Sequence, residues 1–209
     1  MNRFLIWLVA GLLAGCVGGT RNLSPAEVYD FGAPVEPLAE EGRWSSVLLD
    51  IRAPHWFDAR DIDYRLLYEN PLKLRNYARS HWVAAPALLL SQRLRQQLGL
   101  PGVGGQIVAG CVLRFELQEF SQVFDTPQRS RGILQGQAGI LDGRRQLVVA
   151  ERRLLIEQPA PTADAQGGVI ALVAASEELG REFAAWLNDL EKRGRLKHCR
   201  STAGESPSH

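Results

Sequence analysis

The chain has 209 residues, 45% of them hydrophobic, and its 24 basic and 23 acidic side chains give a formal net charge of +1. This length accommodates one domain with a substantial buried core. The balanced charge gives no general electrostatic case for nucleic acid or anionic lipid as a partner.

The N-terminus has the layout of a bacterial export signal. Arg3 is followed by an uncharged apolar run over residues 4–13, about half the length that a membrane span requires. The run ends in Leu13-Ala14-Gly15-Cys16, which resembles the lipobox at which bacterial lipoproteins are cut before the cysteine and acylated on it. We therefore predict a signal peptide over residues 1–15 and lipid attachment at Cys16, with palmitate among the acyl chains. An ordinary signal peptide with a chance cysteine is the alternative.

The mature chain is predicted to have three parts. Residues 16–42 are rich in glycine, proline and acidic side chains and lack a sustained hydrophobic period, which is typical of a tether. Such a tether would hold the folded body away from the membrane. The body is expected over residues 43–200, and the polar residues 201–209 are expected to form a disordered tail.

Three strand-like segments come first and are followed by a helix. Hydrophobic residues alternate with polar ones over residues 47–51 and again over residues 62–68, and residues 72–82 form a weaker third candidate. Leucines then recur every fourth residue between Pro86, which suits a first helical turn, and Gly99, which ends the helix.

The second half of the chain begins with its clearest strand, residues 108–120. Apolar side chains face one side of this strand, and Arg114, Glu116 and Gln118 face the other, so one side is expected on a core and the other in water. Two further strands, over residues 132–141 and 146–156, are joined by the hairpin signal Asp142-Gly143.

A long helix is predicted after Gly167-Gly168, on an apolar stripe at helical spacing. The stripe consists of Leu172, Leu179, Phe183, Trp186, Leu187 and Leu190. The whole order predicts an α+β domain, with an antiparallel β-sheet and two amphipathic helices packed on one face.

The cysteines agree with export. Lipidation would use Cys16, which leaves Cys111 and Cys199 as candidates for a disulfide in an oxidising compartment. Two free thiols that never meet are the alternative.

The sequence contains no constellation that points to catalysis. Gly-x-Ser-x-Gly and His-Glu-x-x-His are both missing. Three carboxylates could in principle bind a cation, but they lack the glycine turn and late glutamate of a calcium loop, and arginines are interspersed, so a solvated loop is favoured. These carboxylates are Asp58, Asp61 and Asp63. We expect a non-enzymatic protein with no metal and no cofactor.

Several short motifs together resemble a known family. They are a strand with Tyr64-Arg65, then Tyr77, then Trp82 shortly before the proline-started helix at Pro86, then the strand segment Leu113-Arg114-Phe115-Glu116-Leu117. In this order, and behind a lipobox, they resemble the ABC-type transport auxiliary lipoproteins of Gram-negative bacteria. The resemblance covers residues 46–189.

The resemblance implies a lipoprotein that faces the periplasm and works beside an ABC transporter whose substrate-handling subunit carries a mammalian-cell-entry domain. Such systems move lipids or other hydrophobic molecules across the envelope. Only Cys16 is carried over as a functional residue. Val17 follows it, and the absence of aspartate there resembles lipoproteins sorted to the outer membrane, which would place the anchor in its inner leaflet.

Other functions remain open at this point. The polar strand face of Arg114, Glu116 and Gln118 could bind a partner or be an ordinary solvated surface. A lipid-binding carrier would need a preformed apolar cavity between sheet and helices. An outer-membrane assembly lipoprotein shares the anchor and the α+β build, and a homo-oligomer is also open. An envelope hydrolase is disfavoured because no nucleophile and base can be named.

Overall fold

The structure is a computed structural model that describes residues 25–33, 36–40, 42–57, 59–101, 110–143, 145 and 147–199. Within these ranges seven strands form one sheet: β1 (Glu27–Tyr29), β2 (Val47–Arg52), β3 (Asp61–Leu66), β4 (Leu74–Trp82), β5 (Cys111–Thr126), β6 (Arg129–Asp142) and β7 (Val148–Pro159). Two α-helices accompany it, α1 (Pro86–Leu98) and α2 (Ala165–Lys192). The lipid-attachment candidate Cys16 and the predicted tail over residues 201–209 lie outside the described residues.

Strand β5, 16 residues long, organises the sheet. Its first half pairs in parallel with β2, and its second half pairs in parallel with β3. Its other edge pairs with β6 in antiparallel orientation, and β6 pairs likewise with β7. The strand order is β1-β4-β3-β5-β6-β7, with β2 beside β5.

The α+β class with two helices is confirmed, but the sheet is mixed rather than antiparallel throughout. The pairs β1–β4, β2–β5 and β3–β5 are parallel. The alternation of apolar and polar residues along a strand predicts which side chains are exposed to solvent. It does not predict whether a neighbouring strand is parallel or antiparallel. Parallel neighbours require a long crossover, and here β4 and α1 lie between β3 and β5 in the chain.

Helix α1 has the predicted limits. Pro86 occupies its first turn, and Gly99 ends it in the left-handed conformation with φ 60°. The leucine stripe at Leu90, Leu94 and Leu98 is fully buried. Arg93, interleaved between these leucines, is buried as well, because its guanidinium donates to carbonyl oxygens of the N-terminal segment.

Helix α2 begins at Ala165, just before the glycine pair that was expected to precede it. Asp164 caps it by accepting a hydrogen bond from the N–H of Gly167 at 2.8 Å. The glycines lie inside the first turn, where the helix packs closely against β5. A Cβ on Gly168 would stand 2.1 Å from Oε1 of Gln122, so there is no room for a side chain. The stripe that ends at Leu190 is buried as predicted, except that Trp186 is half-buried under the guanidinium of Arg152.

The Asp164 cap should make a measurable contribution to folding. Replacing Asp164 by alanine removes the acceptor for the Gly167 N–H, and we expect the free energy of unfolding to fall by about 1 kcal/mol. Urea unfolding checks this value. Asp164→Asn is the matched control, because asparagine also caps helices, and it should recover most of the loss. An unchanged midpoint for Asp164→Ala would show that the cap contributes nothing.

Strand β5 is longer than predicted and contains a bulge. The register shifts between Leu117 and Glu119, and the strand runs on to Thr126. The predicted strand ends at Phe120 because the polar Ser121 and Gln122 interrupt the apolar alternation, yet both are fully buried. Gln122 is satisfied by accepting from the Tyr77 hydroxyl at 2.8 Å and by donating to the Ser130 hydroxyl at 2.8 Å.

The predicted hairpin at Asp142-Gly143 is confirmed, with a longer connection than a two-residue turn. The N–H of Asp142 donates to the carbonyl oxygen of Leu147 at 2.9 Å. The Asp142 carboxylate accepts from the N–H of Arg145 at 3.0 Å inside this loop. The connection from β6 to β7 therefore spans residues 143–147.

The prediction that residues 16–42 form a tether is wrong for the part that the structure describes. Glu27–Tyr29 pairs with β4, and Phe31 is buried with its ring 5.5 Å from that of Trp82. Arg93 donates to the carbonyl oxygens of Phe31 and Ala33. A segment that is held by one buried aromatic side chain and by backbone hydrogen bonds shows no hydrophobic periodicity. The local sequence therefore does not predict that this segment is folded. The folded body therefore includes residues 27–31 and does not begin at residue 43.

Cys111 and Cys199 are joined by a disulfide, with their Cα atoms 4.8 Å apart. It ties the short 3-10 turn Lys197–Cys199, which follows α2, to the first residue of β5. Both half-cystines are buried. The chain around them is tightly packed, because a Cβ on Gly110 would stand 2.0 Å from the carbonyl oxygen of Cys199.

Candidate functional site

The helices cover one face of the sheet, and the opposite face, here called the outer face, is formed by β2, β5, β6 and β7. Arg114, Glu116 and Gln118 point to this side, while Leu113, Phe115 and Leu117 between them are buried against the helices. The alternation predicted for this strand is therefore what the structure has.

The sheet register places residues of four strands in two rows across the outer face, with charged side chains from β2, β5 and β7. The first row is Asp50, Arg114, Gly139 and Glu151, and the second is Arg52, Glu116, Gln137 and Arg153. Charges alternate in sign along both rows. Asp50 accepts from Arg114 at 2.9 Å and from Arg52 at 3.0 Å, so the β2–β5 side of the face is internally neutralised.

Gln118 lies in a different depression from Arg114. It lies at the β5 bulge and has no partner in the β5–β6 register. With Arg52 and Pro54 it lines a depression at the end of β2, whereas Arg114 lines a different one with Glu151. Glu116 lines both, so the predicted trio extends over two neighbouring depressions that share this residue.

Sequence reasoning missed the contributions of β2 and β7 to this face. The alternation of Glu151 and Arg153 with the buried Leu154 and Ile156 gives a local signal that they face water. Their position opposite Gly139 and Gln137 depends on register, which no local pattern reports.

An apolar groove of about 480 Å³ opens between β1 and α2. Val28, 60% exposed, and Ile170, 48% exposed, form its rim, and Val169 and Val173 contribute to its wall. It lies at the sheet edge, away from the outer face.

The layer between sheet and helices is filled by side chains. Phe115 and Phe183 pack edge to face with ring centroids 5.6 Å apart, and Leu134, Leu172 and Leu179 are fully buried with them. The lipid-carrier alternative predicted an apolar cavity in this layer. The described side chains there pack against one another instead.

The aspartate cluster forms polar contacts at the β3–β4 pair. Asp61 lies 3.6 Å from Nδ1 of His81 and accepts from Nδ2 of Asn76 at 3.3 Å. Asp58 lies outside the described residues. Among the residues the structure describes, no group of three or more His, Cys, Asp or Glu side chains could hold a metal ion.

Asp63 gives the cluster a pH dependence. Burial, and then the carboxylates of Asp61 and Glu119, raise its pKa to about 6, against the lowering effect of Arg65. Because the pKa is raised on folding, the native state holds this proton more tightly than the unfolded chain. This group therefore lowers stability as pH rises from about 4 to about 6.

We expect Asp63→Asn to stabilise the protein at pH 7 by about 1 kcal/mol, a figure reduced for the partial exposure of the carboxyl. The gain should vanish below pH 4, where the wild-type carboxyl is protonated in both states. Urea unfolding at pH 3.5, 5 and 7 tests this. An equal effect of the substitution at all three pH values would exclude titration of Asp63 as the cause.

The aromatic residues of the family-like motif have packing roles. The rings of Tyr64 and Tyr77 lie 4.6 Å apart, and Trp82 packs against Phe31 and Phe120 in the core. Their order in the sequence therefore records the packing of β3, β4 and β5. Tyr64, Tyr77 and Trp82 lie away from the outer face, whereas Arg114 and Glu116 of the last motif lie on it.

Comparison with solved structures supports the fold. The chain is similar to protein XCC0632 from Xanthomonas campestris, of the family DUF330, with a TM-score of 0.65 and 17% identity over 80% of this chain and 98% of that one. It is also similar to an uncharacterised protein with a TM-score of 0.60 and 10% identity, over 78% of this chain and 99% of that one.

At these identities the likeness shows a shared fold. No family model and no curated protein matches the chain. Among the described residues, no helix combines the length and hydropathy needed to cross a membrane.

Proposed function

We propose that the chain is a non-enzymatic, lipid-anchored auxiliary subunit of an ABC-type transport system that moves lipids or other hydrophobic molecules across the Gram-negative envelope. Its anchor would be the acylated Cys16 in the inner leaflet of the outer membrane, with the body facing the periplasm. Its partner would be the mammalian-cell-entry subunit of the transporter.

The observation that carries this proposal is the lipobox Leu13-Ala14-Gly15-Cys16 ahead of a body that already includes β1. Pro25 follows Cys16 by nine positions, and a fully extended chain of that length spans at most about 30 Å. The body would therefore stay close to the membrane surface that holds the anchor. Because β1 belongs to the folded body, the distance from Cys16 to the body is shorter than a tether of residues 16–42 would allow.

Three further features support the proposal. The order of the motifs from Tyr64 to Leu117 resembles the auxiliary lipoproteins. The disulfide Cys111–Cys199 suits an oxidising compartment. The outer face presents polar side chains from four strands on a rigid sheet, which suits recognition of a protein partner.

The first test is labelling with radioactive palmitate in the native host. The wild-type protein should incorporate label, and Cys16→Ala should not. The lipidated protein is then purified from membranes with mild detergent, and the mammalian-cell-entry subunit should be recovered with it. Absence of label would contradict lipidation at Cys16. Recovery of outer-membrane assembly factors alone would favour an assembly lipoprotein.

A second candidate function, a lipid-binding carrier, is favoured by the groove between β1 and α2. Its wall of Val169 and Val173 and its rim at Ile170 are apolar, and its volume is about 480 Å³. A carrier purified without detergent should retain noncovalent lipid in native mass spectrometry, and Ile170→Asp should release it. Lipid-free wild-type protein would exclude the carrier.

A further inference from the structure

Gly139 stands in the middle of β6, where the fold does not require glycine. A Cβ built on Gly139 would meet no atom closer than 3.9 Å, and its φ is not positive. Gly132 and Gly136 of the same strand differ, because their Cβ atoms would stand 2.9 Å from the α2 backbone and 2.4 Å from the Phe115 ring. Glycine within a strand weakens it, and where packing does not demand it, it often marks the close approach of another molecule.

The missing side chain leaves a depression of about 200 Å³ on the outer face. Gly139 forms its floor, and Arg114 and Glu151 stand beside it on the two neighbouring strands. Glu116 lines the same depression, and Leu141 and Val148 form an apolar wall.

The charge of the depression is negative. Arg114 is paired with Asp50 at 2.9 Å. Glu116 and Glu151 form no ion pair within 4 Å with another described residue. Two carboxylates beside an apolar wall complement a long basic side chain, whose stem packs on apolar surface while its charged end meets the carboxylates.

We infer that this depression receives an arginine or lysine side chain of the mammalian-cell-entry subunit and is the central anchor of that interface, an inference that rests on the proposed function. A single basic side chain seated in a pocket at the centre of an interface carries a large share of its affinity. Filling the pocket or removing its carboxylates should therefore weaken docking without disturbing the fold.

The test is co-purification of the mammalian-cell-entry subunit with the full-length lipoprotein from native membranes. Gly139→Val fills the depression with a residue that favours strands, and Gly139→Ala is the smaller step in the same series. The double variant Glu116→Gln and Glu151→Gln removes the negative charge at constant shape. Glu177→Gln on α2, in the other layer of the fold, is the matched control. Thermal unfolding confirms that each variant is folded.

We expect wild type, Gly139→Ala and the Glu177 control to recover similar amounts of the subunit. Gly139→Val and the double glutamine variant should each recover at least about tenfold less, with a melting temperature for Gly139→Val equal to or above that of wild type. This combination supports the inference.

Each other result overturns it in a recognisable way. If wild type recovers the subunit and the variants do so equally, the pocket is not the anchor, while the proposed function stands. If only Gly139→Val is impaired, the pocket receives an uncharged group. If Gly139→Val changes the sedimenting mass of the purified protein but not recovery, the occupant is a second copy of this chain. If wild type recovers nothing, the proposed function fails, and this inference fails with it.

Discussion

Removing the Cys111–Cys199 disulfide should lower the free energy of unfolding by about 4 kcal/mol. The two cysteines are 88 residues apart, and in the chain-entropy model a cross-link over a loop of that size stabilises by about 4–5 kcal/mol, because it restricts the unfolded chain. The bond also holds the segment after α2 against the start of β5, where Gly110 meets the backbone of Cys199.

The measurement is urea unfolding of the oxidised wild type and of the double variant Cys111→Ala and Cys199→Ala. Alanine suits both sites because both half-cystines are buried and a serine hydroxyl would lack a partner there. Added reductant should lower the wild-type midpoint and leave that of the double variant unchanged. Equal midpoints for the two oxidised proteins would contradict the stabilising role of the bond.

Replacing Phe31 by alanine should cost about 3 kcal/mol, the low end of the usual range for a buried phenylalanine. Phe31 is 6% exposed, and its ring lies 5.5 Å from Trp82 and 6.1 Å from Phe120. Its backbone carbonyl also accepts from Arg93. The cost is at the low end because the segment can move away instead of leaving a rigid cavity behind.

Val28→Ala is the matched control for Phe31→Ala, since Val28 lies three residues earlier in the same segment and is 60% exposed. It should change stability by no more than about 0.5 kcal/mol. Both variants are compared by urea unfolding of the mature protein. Wild-type stability for Phe31→Ala would favour a tether over residues 16–42 after all and would lengthen the reach from Cys16.

The local elements of this protein could be predicted where a single period and a clear end signal coincide. Helix α1 lies between Pro86 and Gly99 as predicted, and the first half of β5 turns Arg114 and Glu116 to the outer face. Both predictions succeed because burial on one side of an element imposes its period on the sequence. The cysteine count likewise suggested the bond between Cys111 and Cys199.

Burial of polar groups could not be predicted, because it depends on partners far away in the chain. Gln122 is buried because Tyr77 and Ser130 satisfy its amide, and Arg93 because carbonyl groups of residues 31–33 receive its guanidinium. Both residue types normally signal solvent exposure. For this reason the predicted end of β5 came too early, before Gln122, and the packing of residues 31–33 against Arg93 was not predicted.

The sequence by itself determined the lipobox, the α+β class, the helix limits at Pro86 and Gly99, and the solvent-exposed face of β5. Each of these depends on residues that are adjacent in the chain or one structural period apart. Only the tertiary structure decided the parallel pairing of β2 and β3 with β5, the packing of Phe31, and the meeting of Arg114, Gly139 and Glu151 in one row. The physical reason is that strand register and direction are fixed by the packing of the whole sheet against its helices. The absence of a side chain at Gly139 points to a depression only when its neighbours in the sheet, Arg114 and Glu151, are known.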